Sequence, residues 1–346
     1  MAELTAAWLS AVLTQGGLEE AELGPIEVEP LGSGVGLLGD LARIRIGDRR
    51  PASVPPTIIV KLPTSDPAGH EVGQMLRAWA REVAFYNEIA PRSPGARVPH
   101  CYGTQSDEVL GRWVVVLEDC RADAVDPRAG ASPSQAIAAT LALADFHASW
   151  WESSVMPPWM PRVASEGFAG LQAAWRANHP AFIERYDDVL PSPAIDWLHR
   201  FGPQLTTWAG KVASDPTTIV HADYRLDNLV FSGSQVTMID WQTALVGPGA
   251  MDLTCFLATS LSVDARRGSE GDLIAAYLDR LEHHSIAVDR GWFNTSYDEN
   301  LLWWMGQFAN NLAHLEPEDP TATQGLRTMV KRTFTAAVDR NVGRLL

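Results

Sequence analysis

From Thr218 to Gln242 the chain sets two short apolar runs around a polar loop of fixed spacing. Thr218-Ile219-Val220 is β-branched and reads as a strand. It leads into His221-Ala222-Asp223-Tyr224-Arg225-Leu226-Asp227-Asn228, with spacing H-x-D-x-x-x-x-N. A second strand, Val236 to Ile239, then delivers Asp240, twelve residues after Asn228. Any single Asp or Asn beside a strand is ordinarily a turn former or a helix cap. The whole run, closed by Ile239-Asp240-Trp241, is far harder to obtain by chance.

These residue types in this order suit phosphoryl transfer. That reaction asks little covalent chemistry of the protein and much in-line positioning and charge neutralisation. Asp223 can accept or orient the proton of an attacking hydroxyl, and Asn228 and Asp240 offer the hard oxygen ligands that Mg²⁺ prefers. Hydrolase chemistry has no anchor, because there is no G-x-S-x-G elbow. His221 has no second His or Cys at metal-ligand spacing, which favours a bracing role in the loop.

The rest of the chain divides by pattern. Ile26 to Leu31, Leu41 to Ile46, Thr57 to Lys61 and Trp113 to Leu117 read as strands, with one helix over Gly73 to Ile89. From Ser134 onward helical periodicity dominates, over Gln135 to Trp151, Gly170 to Asn178 and Ala194 to Ala213. A β-rich first third and a helix-rich remainder predict two lobes with the break after Leu117, and clefts between lobes are where ligands usually sit.

On His221-Ala222-Asp223 through Asn228, and on Ile239-Asp240-Trp241, the chain resembles the aminoglycoside phosphotransferase and choline kinase superfamily. Its wording is similar to the ecdysteroid-kinase-like and acyl-CoA-dehydrogenase-associated branches. The resemblance implies an α+β, protein-kinase-like bilobal fold: residues 1–118 as a nucleotide-clamping lobe, and residues 119–346 as a helical lobe with catalytic loop, metal loop and acceptor pocket. It implies Asp223 as catalytic base, Asn228 and Asp240 as Mg²⁺ ligands, and ATP or GTP as phosphoryl donor. Lys61 closes the strand Thr57 to Val60 and is one of only three lysines, which makes it the expected phosphate clamp. Glu82, in an E-x-x-F-Y pattern, resembles the acidic partner that orients this lysine; Glu71 and Glu88 are the alternatives. Gly32, Ser33 and Gly34 open a glycine-rich run between two strands, where backbone approaches phosphates without Cβ clash, though hairpin turns are glycine-rich too. The strand Val114 to Leu117 resembles the one entering the hinge, placing adenine near Glu118 to Cys120. Leu143 to Trp151 matches the family's L-x-x-[LF]-H-A helix, with His147 structural. Gly247 to Leu253 resembles the family's G-x-x-x-x-D-L after the metal loop, which implies Asp252 as an anchor of loop backbone. Arg225 either meets a phosphate or substrate, or pairs with Asp227 or Asp240.

Composition bounds the partners. The net charge of -15 argues against nucleic acid, and no apolar run is long enough for a membrane. Cys101, Cys120 and Cys255 form no disulfide framework, and no Lys or Arg precedes the first apolar residues, so a cytoplasmic setting is expected. Tryptophans crowd the helical lobe, which suits a hydrophobic or ring-containing acceptor if they line a pocket, and a core if they do not. Asp298 and Glu299 leave an aminoglycoside open as the acceptor. A catalytically silent binding protein on the same fold is the other reading; it is disfavoured because Lys61, Asp223, Asn228 and Asp240 are all present. The oligomeric state leaves no signal.

Overall fold

The computed structural model describes residues 4–18, 23–31, 38–107, 111–120, 125–165, 170–213, 216–315, 317 and 319–346. The chain forms two compact units. The first comprises residues 1–92, 97–121 and 237–243; the second comprises residues 93–96, 122–236 and 244–346. Asp240 therefore belongs with the N-terminal sheet, although its position in sequence lies far inside the helical part.

In the first unit, α1 (Ala6–Gln15) precedes β1 (Ile26–Leu31), β2 (Gly39–Ile46) and β3 (Thr57–Pro63). Then come α2 (Pro67–Met75), α3 (Ala78–Ala84), β4 (Cys101–Asp107) and β5 (Arg112–Glu118). The sheet has five strands in the order β1-β2-β3-β5-β4, and every neighbouring pair is antiparallel. Alternation sends Ala42, Ile44 and Ile46 of β2 to one face, and the two isoleucines pack with Ile58, Val60 and Val116 and with Leu9, Val12 and Leu13 of α1. Each such aliphatic side chain contributes ~1.5–3 kcal/mol on burial. Close approach of α1 depends on Gly103, where a Cβ would stand 2.9 Å from Val12.

The single helix expected over Gly73 to Ile89 is two helices and a π-helical turn (Phe85–Ile89), because Arg77 adopts φ 51 and breaks the run. Strand β4 carries no apolar alternation, which is why the sequence pattern passes over it.

The second unit holds α4 (Pro133–Ala148), α5 (Leu171–Tyr186), α6 (Ser192–Phe201) and α7 (Leu205–Val212). Strand β6 (Thr218–Val220) pairs with β9 (Leu245–Gly247). Between them lie β7 (Leu229–Ser232) and β8 (Gln235–Met238), and the chain passes from one unit to the other within β8. Helices α8 (Ala250–Ser260), α9 (Val263–His283), α10 (Arg290–Asn311) and α11 (Pro320–Asp339) complete it. Ser132 and Gln135 form a capping box that starts α4, with Pro133 at its first position. Helix α8 is buried along its whole length, so it is the spine of this unit. The helix expected over Ala194 to Ala213 divides at Gly202-Pro203 into α6 and α7. No described helix is long and apolar enough to cross a membrane.

Candidate active site

In the first unit the chemistry centres on Lys61. Strand β3 is central, flanked by Leu41 of β2 and Val115 of β5 at this position, so the lysine is buried. Its Nζ donates to Glu82 Oε1 at 2.9 Å and stands 2.8 Å from Oε2. It also donates to Asp240 Oδ1 at 2.7 Å. The left-handed Arg77 restarts the helix so that α3 turns Trp79, Glu82 and Val83 inward. Phe85 then stacks on Trp241 at 4.0 Å and 8°, which holds the residue next to Asp240. Asp240 itself has φ 67, a backbone conformation that side chains other than glycine adopt at a cost. Burial alone would lower the Lys61 pKa, but Asp240 and Glu82 together outweigh it and raise it, so the ammonium is charged.

Glu118 turns toward Arg97 and its neighbours: Arg97 Nη2 donates to Oε1 at 3.2 Å, and the His100 N–H donates to Oε2 at 3.1 Å. Cys120 is half-buried, and burial, then Glu118, pushes its thiol up to about 11. Arg97, which no motif singles out, also accepts from the Met238 N–H through its carbonyl and donates to Thr237. It therefore fixes the end of β8, two residues before Asp240. The Gly32, Ser33 and Gly34 expectation lies outside the described residues.

In the second unit, β6 delivers the catalytic-loop candidates. His221 and Asp252 are both fully buried. Asp252 accepts from the His221 N–H at 2.6 Å, the Ala222 N–H at 2.8 Å and His147 Nε2 at 3.2 Å. With Nε2–H committed to the carboxylate, His147 Nδ1 accepts from the Tyr277 hydroxyl at 2.7 Å. Tyr277 lies on α9, 130 residues from His147, and no local pattern could have pointed to it. Ala222 sits at φ 59, so the chain reverses sharply just before Asp223. Asp223 Oδ1 accepts from Arg225 Nε at 3.0 Å and Oδ2 from Asn228 Nδ2 at 2.8 Å. Arg225 also forms an ion pair with Asp227. Of the alternatives open for Arg225, the ion pair is present, with Asp223 and Asp227 as its partners.

Two donors on one carboxylate orient it firmly. Asn228 commits its Nδ2 to the Asp223 side chain and backbone, which leaves its carbonyl oxygen as a hard acceptor. Among the described residues no three His, Cys, Asp or Glu side chains gather as a metal cage. Magnesium is ordinarily held by one or two protein oxygens, waters and substrate phosphates, and the Asn228 amide oxygen of the second unit and the Asp240 carboxylate of the first are each donors of that kind.

Several of the tryptophans are core. Trp150, Trp208 and Trp304 are buried, and their indole N–H groups donate to Ser93, to the Glu299 carbonyl and to the Met251 carbonyl. They do not mark the wall of an apolar pocket.

Residues 55–293, well over half of the chain, match the family model of the phosphotransferase enzymes. The chain belongs to this phosphotransferase family. Among solved structures it is similar to a choline kinase from Cryptosporidium parvum, at 11% identity and TM-score 0.56, over 92% of this chain and 91% of that one. It is similar also to a microcompartment-associated aminopropanol kinase, at 16% identity and TM-score 0.54, over 98% and 99% of the two chains. A spectinomycin phosphotransferase aligns at 10% identity and TM-score 0.53, over 98% and 99%. At these identities the likeness is one of fold, with a β-sheet N-terminal part and a helical C-terminal part as in the protein-kinase-like proteins. No curated protein sequence matches the chain.

Proposed function

We propose that this phosphotransferase-family chain moves the γ-phosphoryl of ATP or GTP onto a hydroxyl of a small molecule. The observation that carries the reading is the buried ion cluster in which Lys61 bridges Glu82 and Asp240. A lysine on a central strand, oriented by a helical glutamate, is the arrangement kinases use to hold nucleotide phosphates. In this reading Lys61 binds the phosphates and Glu82 keeps its ammonium extended. Asp240 and Asn228 hold Mg²⁺, which when bound neutralises charge on the phosphate oxygens. Asp223 accepts a hydrogen bond from the acceptor hydroxyl and fixes its line of attack. Arg225 and Asn228 prevent the carboxylate from rotating away.

The test is nucleotide-diphosphate release with Mg²⁺ and ATP or GTP against pooled hydroxylated compounds. Asp223→Asn should lower turnover by about 10²–10⁴-fold, the usual reach of a general base. Nucleotide binding should survive in that variant, because Asp223 is not a phosphate ligand. Loss of Mg²⁺-nucleotide binding in Asp223→Asn would overturn the assignment of roles.

A further inference from the structure

The loop that carries Asp223 alternates inward and outward side chains. Tyr224 and Leu226 are buried, while Asp223, Arg225 and Asp227 keep part of their surface accessible. The inward residues are tied down. The Tyr224 hydroxyl donates to the Ala139 carbonyl of α4 at 2.8 Å. Leu226 opens a 3₁₀ turn, Leu226–Asn228, so its N–H has no carbonyl partner within that turn. It donates instead to Ser260 Oγ at 3.0 Å, on the last turn of α8. Asp252 and Ser260 lie two turns apart on this helix, ~12 Å along its axis. Asp252 holds the loop before Asp223, at the His221 and Ala222 N–H groups, and Ser260 holds it after, at Leu226. One buried helix thus fixes the loop on both sides of Asp223.

The Ser260 hydroxyl is itself held in one orientation. Ser260 is 2% exposed and Thr259 is 5% exposed. The Thr259 hydroxyl donates to the Cys255 carbonyl at 2.6 Å, which commits its single proton. Its oxygen stands 3.1 Å from Ser260 Oγ, so in that pair Ser260 is the donor. A lone pair of Ser260 is then left for Leu226. The chain of bonds has one sense: Leu226 N–H to Ser260 O–H to Thr259 O–H to the Cys255 carbonyl. Each bond polarises the next, and a rotatable hydroxyl becomes a fixed acceptor. The same end of α8 is pinned from outside. The Ser260 carbonyl accepts from the Ala131 N–H at 2.8 Å, and the Thr259 carbonyl accepts from the Arg332 guanidinium at 3.2 Å.

Leu226 stands between the two residues that clamp Asp223. Arg225 precedes it, Asn228 follows it, and their side chains take one carboxylate oxygen each. The Asn228 N–H closes the turn on the Arg225 carbonyl at 2.9 Å, so a shift of Leu226 moves both clamps together. In a positioned reaction a displacement of about 1 Å is enough to cost ~10²-fold in rate. We propose that Ser260, oriented by Thr259, is a positioning residue for Asp223. The proposal rests on the kinase reading above for the role of Asp223, and on the hydrogen-bond chain alone for the tether.

The experiment uses the full chain and the variants Ser260→Ala, Thr259→Val and Thr259→Ser. Amide hydrogen exchange at Leu226 is read by NMR, and nucleotide-diphosphate release is read with Mg²⁺ and ATP or GTP against the pooled hydroxylated compounds. In Ser260→Ala the Leu226 amide should exchange about tenfold faster, the scale of one lost buried hydrogen bond. Its kcat should fall by about 10–10²-fold, with the KM for nucleotide within about twofold of the parent. Thr259→Val should move both readouts the same way, and Thr259→Ser, which keeps the hydroxyl, should recover both. Unchanged exchange at Leu226 in Ser260→Ala would overturn the tether. Faster exchange with unchanged kcat would overturn the positioning role, and so would equal losses of kcat in the two Thr259 variants, which mark packing alone. A parent chain that releases no diphosphate from any pool would refute the kinase reading and the role built on it, while the exchange result would still decide the tether.

Discussion

Asp252 is the residue whose removal should be felt most widely in the second unit. It is fully buried and accepts from two backbone N–H groups and one histidine. Asp252→Ala strands those three donors in a cavity with no water-filled substitute. Hydrogen bonds to a charged group contribute ~1.5–3 kcal/mol each, and a stranded buried donor costs ~1–3 kcal/mol. Weighting the two short backbone bonds most heavily gives a destabilisation of about 3–6 kcal/mol. A unit of this size loses about 2–4 °C of Tm per kcal/mol, so the melting transition should fall by roughly 6–24 °C. Asp252→Asn keeps one acceptor oxygen but sets an amide N–H₂ against a backbone N–H, and should fall between the two. The assay is calorimetric unfolding of both variants, with Asp145→Asn as control. Asp145 pairs with Arg280 and His284, both partly exposed, in interactions worth ~1 kcal/mol or less each. A Tm for Asp252→Ala within 2 °C (about one such weak pair) of the control would refute the claim that this carboxylate organises the loop.

Lys61→Met leaves Glu82 and Asp240 facing each other without a cation, and should cost about 3–5 kcal/mol in the first unit. Adding Glu82→Leu should restore part of that loss, as a double-mutant cycle in urea would register. Ala222→Gly relieves φ 59 and should raise the urea midpoint by the equivalent of up to about 1 kcal/mol, with the Asp252 hydrogen bonds retained. The Arg267 hydrogen bond, and after it Arg266, holds Asp339 below its ordinary pKa against the opposing effect of burial. A depressed carboxylate contributes stability that is present above its unfolded pKa and lost as pH falls through the folded one. Urea midpoints should therefore drop below about pH 4, and Asp339→Asn should flatten that drop.

The parts of this fold that sequence reveals are those where side-chain pattern and backbone geometry agree. Strand β1 has the bounds its apolar run suggests, and so does β6, because β-branched residues bounded by turn formers leave few alternatives. Strand β4 is invisible to that reasoning: Cys101 to Asp107 is a mostly polar edge strand held by pairing to β5. The break at Arg77 is equally silent, since no Gly, Pro or Asn announces its left-handed backbone. By contrast, Gly202-Pro203 was a readable break between α6 and α7, and helical periodicity simply ran across it. In the candidate site, motif spacing points to Asp223, Asn228 and Asp240 as residues of interest. It says nothing of Arg97, Tyr277 or the Asp240 contact with Lys61, because those depend on segments brought together by tertiary packing.

The Lys61–Asp240 contact spans 179 residues, yet both ends belong to the N-terminal unit. At about 5–20 residues per second, a ribosome needs roughly 10–40 s to go from one to the other. Once β5 is made, a sheet formed before Asp240 arrives would hold the ammonium with Glu82 beside it and without the Asp240 carboxylate. The unit that begins first is thus closed only after about half of the second has been made. A chain stalled before Thr237 would present the cell with a nearly whole sheet that lacks the aspartate closing its charge.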